Sequence, residues 1–236
     1  MTKNSLKNLS LTCFYLLTAI TMTAGYTSVQ AAEATTTSNA QQAPAFSKEV
    51  DFLMKSLYGK TGILYLMNES NERDMMIGSQ KLGQTSMKVP HFSTLKINVP
   101  ALVTLEQGAT REITVIGEDN IISVISAISD REVLTVSSQR SFNTKQPLII
   151  KITAPSFGIV QVNTSTTFLQ LANLRQPQLS LVLLGHIKAI FTGQISQLDL
   201  QVKGIADINA RNLQTQRSVL KTQGKIALNL KRIILI

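Results

Sequence analysis

The chain has 236 residues, 44% hydrophobic and 16% charged, with a net charge of +9; that is too apolar for a disordered chain and too polar for a membrane bundle. Trp is absent and 5% of residues are aromatic, so platforms that stack sugars or single-stranded nucleic acid are scarce. The one cysteine, Cys13, lies near the N-terminus, which leaves the rest of the chain without a disulfide, a thiol nucleophile or a cysteine-based metal site.

Residues 1–31 read as a secretory signal peptide. Lys3 and Lys7 form a positive n-region, Leu9 to Ala24 is mostly apolar, and Val29-Gln30-Ala31 places small residues where a signal peptidase cuts. An uncleaved anchor is the alternative, although Thr12, Thr18, Thr21 and Thr23 interrupt the apolar run and make it a poor permanent span. The expected address is therefore outside the cytoplasm: periplasmic, outer-membrane-associated or secreted, with no transmembrane span after cleavage. Residues 32–45 (AEATTTSNAQQAPA) are small, polar and low in complexity, and read as a disordered linker.

Residues 46–91 form an N-terminal helix and an irregular cap segment. Phe46, Val50, Leu53, Met54 and Leu57 fall at helical spacing and Gly59 stops the run, so the helix would cover strand edges that follow it. Ile63 to Met67 reads as a strand and Asn68 to Gln84 as irregular. From Phe92 the chain turns to strands. Leu95, Ile97 and Val99 alternate up to Pro100, and Leu102 to Leu105 closes at Gln107-Gly108. Ile113 and Val115 stop at Gly117-Glu118-Asp119-Asn120, which reads as a turn. Ile122 and Val124 follow, then Val133, Leu134 and Val136 after a turn at Asp130-Arg131. Leu148, Ile150 and Ile152 end at Pro155. Apolar triplets divided by Gly, Pro, Asn and Asp argue an all-β domain.

Between residues 158 and 230 one pattern recurs four times. Ser165, Gly185, Gly204 and Gly224 are separated by 20, 19 and 20 residues. Two, four and six positions after them come Thr167, Leu169, Leu171; Ile187, Ala189, Phe191; Ala206, Ile208, Ala210; and Ile226, Leu228, Leu230. The intervening odd offsets are mostly polar, as in His186, Lys188, Lys203, Asp207, Asn209, Lys225 and Asn229. Period two inside a period of about 20 predicts strands with one buried face, stacked as coils. The predicted fold is all-β: a single-domain, β-helix-like β-solenoid of stacked ~20-residue coils over residues 92–236, with a short N-terminal helix.

Phe92-Ser93-Thr94-Leu95-Lys96-Ile97-Asn98-Val99 and Val103-Thr104-Leu105-Glu106-Gln107-Gly108 resemble the opening of the GIN domain, the head domain of an autotransporter-adhesin family. Ile113-Thr114-Val115-Ile116-Gly117-Glu118-Asp119-Asn120 and Leu148-Ile149-Ile150-Lys151-Ile152-Thr153-Ala154-Pro155 extend the resemblance, which covers roughly Phe92 to Leu230. It implies an exported β-helix-like domain and brings no catalytic residues with it. This chain keeps one Gly per coil where that family often has two, and ends in Lys231-Arg232-Ile233-Ile234-Leu235-Ile236 in place of a Gly-rich closing strand.

Charge is divided unevenly. Residues 32–139 carry 12 acidic and 9 basic side chains, whereas residues 140–236 carry 2 acidic and 12 basic. Lys188, Lys203, Arg211, Lys221, Lys225 and Lys231 are the candidate ligand-binding residues, at or near outward offsets of the repeat. Arg211 and Lys231 share the seventh offset and would stand roughly 5 Å apart on adjacent coils. Like charges stacked this way repel unless something anionic lies across them, which suits an anionic polysaccharide or anionic lipid head groups. A solvated surface that keeps exposed edges apart is the bland alternative. Nucleic acid matches the charge but not an exported address.

Other chemistry finds little support. Polysaccharide-active β-helix enzymes need clustered acids or two carboxylates roughly 5 to 9.5 Å apart. The repeat offers Asp199 and Asp207, eight residues apart, or roughly 26 Å of extended chain. His91 and His186 lack partners at metal-ligand spacing, so no metal site and no cofactor are expected. Met54, Met67, Met75, Met76 and Met87 suit packing better than copper binding. Ile233 to Ile236 either close the last coil or pair with another copy, which leaves self-association through the C-terminal strand open. The expected function is an exported, non-enzymatic, adhesin-like binding or cell-envelope module. The alternatives are a polysaccharide-active β-helix enzyme and a self-associating structural module.

Overall fold

A computed structural model describes residues 63–65 and 75–230. The expected signal peptide, linker and helix at Phe46 to Leu57 lie outside these residues, as do Lys231 and the segment Ile233 to Ile236.

The described chain is nearly all β. A small sheet of order β1-β9-β2 joins Ile63–Tyr65 (β1), Phe142–Thr144 (β9) and Met76–Ile77 (β2). The main nine-stranded sheet holds β3 (Leu82–Lys88), β4 (Thr94–Ile97), β5 (Leu102–Gln107), β6 (Glu112–Glu118), β7 (Ile125–Asp130), β8 (Val133–Ser138), β10 (Ile149–Ala154), β11 (Ile159–Gln214) and β12 (Arg217–Leu230). Its path is β3-β6-β10-β5-β11-β4-β8-β7, with β12 added on β11. β11 meets both β4, through residues 159–162, and β5, through residues 168–172. One strand thus joins the two arms of the path, and the open sheet curls around one apolar core.

The solenoid expected over the whole of residues 92–236 is not what the N-terminal arm shows. There β3 with β6, β6 with β10 and β7 with β8 are antiparallel, and no 20-residue offset relates them. The 20-residue offset does appear in the repeat, where residues 197–210 of β11 pair in parallel with residues 217–230 of β12, Gln197 opposite Arg217 through Ala210 opposite Leu230.

β11 counts 56 residues, roughly 185 Å if fully extended, so it has to turn repeatedly. It does so at Asn173, Gly185, Gly193 and Gly204, all with positive φ. Gly204 has φ +123°, and a Cβ placed there would fall 2.3 Å from the carbonyl oxygen of Gly185; at Gly224 it would fall 2.0 Å from that of Gly204. The glycines therefore mark where one turn's backbone passes directly over the one before. Between these bends alternation is strict: Leu198, Leu200, Val202, Ala206, Ile208 and Ala210 are buried, while Lys203, Ile205, Asp207, Asn209 and Arg211 are exposed. Thr167, Leu169 and Leu171 of the glycine-less first copy are also buried.

Three segments depart from the sequence reading, the first being Met76–Ile77, which lies in the stretch expected to be irregular and pairs with β9. Leu82–Lys88, expected to be irregular, is a strand paired along its whole length with β6. The segment read as a turn at Gly117-Glu118-Asp119-Asn120 instead ends β6 and starts a single helical turn, α1 (Asp119–Ile122). Ser79 explains the latter: its hydroxyl donates to Asp119 Oδ1 and its N–H to Asn120 Oδ1 at 2.9 Å. The Ser79 bond, with a smaller contribution from the nearby Lys81 ammonium, holds the Asp119 carboxyl below its ordinary range.

Gly204→Ala should lower stability by about 2 kcal/mol or more, from a disfavoured φ and a clash with backbone that cannot move aside. Gly83→Ala is the control, because a Cβ there meets its nearest atom at 3.5 Å. Urea denaturation of both variants checks this, with a large loss expected only for Gly204→Ala.

Candidate functional site

The register between β11 and β12 builds an outward surface that passes over the stacked Gly204 and Gly224 bends. Its facing pairs are Asp199 and Val219, Gln201 and Lys221, Lys203 and Gln223, Ile205 and Lys225, Asp207 and Ala227, then Asn209 and Asn229. Lys203 lies diagonally between Lys221 and Lys225, because its own partner Gln223 sits midway between them. Diagonal neighbours on adjacent strands are about 8 Å apart at Cα, within reach of long side chains that converge on one anion. All three lysines are exposed. Ile205, directly opposite Lys225, is 50% exposed and adds an apolar point to this basic face.

Asp199 and Asp207 border the group on either side, diagonal to Lys221 and Lys225 respectively. The register does not set these two acids beside each other, since their strand partners are Val219 and Ala227. Gln197 donates to Asp199 Oδ2 at 3.5 Å.

Of the six predicted residues, then, Lys203, Lys221 and Lys225 come together. Lys188 is half-buried and lies in an earlier turn of the repeat. Arg211 is exposed, and its backbone N–H donates to Asn209 Oδ1 at 3.3 Å; it stands eight residues beyond Lys203. Lys231 lies outside the described residues. Sequence reasoning passed over Arg217, which is exposed and faces Gln197. The signal was present: Arg217 and Lys221 stand four positions apart before Gly224, and in a strand that spacing keeps them on one side.

A second polar feature lies far from this face. Glu118 is 1% exposed, and neither carboxyl oxygen has a hydrogen-bond partner. A Cβ at Gly78 would fall 1.3 Å from its Oε2, so Gly78 is the lid over this side chain. The turn that carries Gly78 is pinned by Asn120, whose Nδ2 donates to the Ile77 carbonyl at 2.7 Å. Among the described residues no group of three or more His, Cys, Asp or Glu side chains gathers in a way that could hold a metal ion. No helix among them is long and apolar enough to cross a membrane.

Residues 91–229 match the family described as "Putative auto-transporter adhesin, head GIN domain". The chain belongs to the GIN-domain family. Among solved structures, a putative adhesin from Bacteroides fragilis is 18% identical with a TM-score of 0.53, over 65% of this chain and 81% of that one. A putative adhesin from Parabacteroides merdae is 13% identical with a TM-score of 0.44, over 66% of this chain and 84% of that one. At such identity the first likeness speaks for the fold alone. No curated protein matches the chain. The GIN-domain assignment covers both arms of the sheet, from the strand that follows His91 to the second turn of the basic face.

An unpartnered buried carboxyl costs about 1–3 kcal/mol, so Glu118→Met should raise the melting temperature by a few degrees. Gly78→Ala should lower it in the wild-type background and be nearly harmless with Glu118→Ala. A thermal-denaturation double-mutant cycle reads this coupling.

Proposed function

We propose that this GIN-domain protein is an exported, non-enzymatic, adhesin-type module of the cell envelope. In this reading the glycine-centred repeat works as a β-solenoid, a stack of ~20-residue coils that presents a cationic outward face to an anionic glycan or anionic lipid head groups. The observation that supports the reading is the strand register that makes Lys203 a diagonal neighbour of both Lys221 and Lys225.

Three further lines support it. The family's description as an adhesin head agrees with a surface or exported role, and so do the features of residues 1–31 that read as a secretory signal. The imbalance of 12 basic against 2 acidic side chains over residues 140–236 gives the repeat arm a positive field that draws in polyanions. The scaffold also suits the task, because side chains set on a rigid ladder lose little freedom when a repetitive polymer lies across them. Catalysis by paired acids is less well supported, since Asp199 and Asp207 flank the basic group instead of facing each other.

Retention on immobilised heparin and on lipopolysaccharide at low salt tests the reading. Wild type should be retained and should elute as salt shortens the screening length to below about 8 Å. Lys203→Glu, Lys221→Glu and Lys225→Glu together should bring elution close to the unretained volume. The matched control reverses Lys81, Lys88 and Lys145, which are also exposed but lie elsewhere in the fold. Equal loss in both triple variants would show that only net charge matters, and unchanged retention in the first would discard this face.

A further inference from the structure

We propose that the protein assembles head to tail, with β12 of one copy pairing with β7 of the next, so that a single ladder runs on from molecule to molecule. These two strands terminate the same ladder. From one end it passes through β7, β8, β4 and residues 159–162 of β11. The Ser180 N–H, donating to the Gly158 carbonyl at 3.0 Å, takes it to the next turn of the repeat. Residues 197–202 of the following turn then pair with residues 217–222 of β12. Among the described residues no strand lies beyond β7 or beyond β12.

Both ends are unfinished in a way that a second copy completes. Leu200 is 5% exposed, whereas Leu220, its partner one turn later, is 43% exposed. Among the described residues no strand follows β12, and the inward column that is covered at Leu200 is uncovered at Leu220. Ile226 and Leu228 are likewise only half-buried, where Ala206 and Ile208 are buried. At the opposite end, the inward Ala127 of β7 packs against the core but is only half-buried, and Ile128 on the outward side is 60% exposed.

Direction and charge select the partner. β8, β4, β11 and β12 run parallel and β7 alone is antiparallel. A copy translated along the ladder therefore presents its β7 antiparallel to β12, a pairing that needs no crossover. With Ala127 opposite Leu220, where it continues the inward column of Leu200 and Leu220, Asp130 stands directly opposite Arg217 of β12. The β7–β8 hairpin end bears Asp130, Arg131 and Glu132, all exposed, for a net negative charge. The β12 edge bears Arg217, Lys221 and Lys225. Opposite charges across adjacent strands attract and like charges repel. A two-fold pairing of β12 with another β12 would instead set lysines against lysines. The contact uses two different surfaces, so it does not close into a dimer but grows as an open array.

Sedimentation velocity of the purified full chain at low salt tests the arrangement. The weight-average sedimentation coefficient should rise with concentration and pass beyond that of a dimer. Arg217→Glu and Asp130→Lys should each weaken assembly about ten-fold, with unchanged circular dichroism, and the double variant should restore it. Asp130 is remote from the basic face read as the ligand site, so its effect separates assembly from ligand binding. A chain that stays monomeric, a dimer that does not grow, or assembly that survives Asp130→Lys would overturn the proposal, as would failure of the charge swap to restore it.

Discussion

The close passage of one turn's backbone over the next is the constraint on which the rest of the repeat depends. At Gly204 and Gly224 the space that a side chain would need is already filled by the carbonyl of the glycine before. Only a residue without a Cβ satisfies both that contact and a φ above +100°. Once the glycines are superposed, the neighbouring residues follow in register, Leu200 beside Leu220 and Ile208 beside Leu228. The inward positions become apolar columns, and the outward positions become columns whose chemistry the fold does not dictate. Lys203, Lys221 and Lys225 can therefore gather without any cost to the core.

What the sequence made legible follows from this division. Period-two alternation locked to a 20-residue repeat identified buried members of β11, including Thr167, which is polar yet fully buried. The N-terminal arm was less readable for physical reasons. β3 (Leu82-Gly83-Gln84-Thr85-Ser86-Met87-Lys88) has no apolar alternation, because it is an edge strand that relies on pairing with β6 and buries little. Glu118 looked like a turn residue by its charge, although its neighbours Ile113, Val115 and Gly117 end a buried strand and carry it inside. The second bend of each turn stayed hidden because its members are Asn173 and Gly193: asparagine tolerates positive φ, so no glycine repeat appears there. For the basic face, the parity of each lysine was visible in the sequence, but which of them become neighbours needed the register.

Two glutamines show how bends are held where the backbone cannot pair with itself. Buried Gln176 accepts from the Phe157 N–H at 3.1 Å and donates to the Phe157 carbonyl at 2.7 Å, occupying both backbone groups as a strand neighbour would. Gln107 does the same for Arg175, accepting from its N–H at 2.6 Å and donating to its carbonyl at 2.9 Å. A side-chain amide has the donor and acceptor of a peptide group, so these residues continue the ladder across corners. They also tie β5 and the entry to β11 to the first turn of the repeat, which makes the two arms of the sheet one cooperative body.

Sharing of fold without sharing of face follows from the same logic. A chain only 18% identical keeps the architecture at a TM-score of 0.53, because the ladder asks for apolar residues at alternate positions and for small ones at bends, not for particular side chains. Nothing in that requirement preserves Lys203 or Lys225 at the positions between. The outward columns are thus free to diverge from member to member. In this chain they are basic on the last turns of the repeat and acidic at the far hairpin, an asymmetry that runs along the ladder axis instead of across it. A described ladder with opposite signs at its two ends distinguishes those ends chemically, and that polarity gives the scaffold a direction.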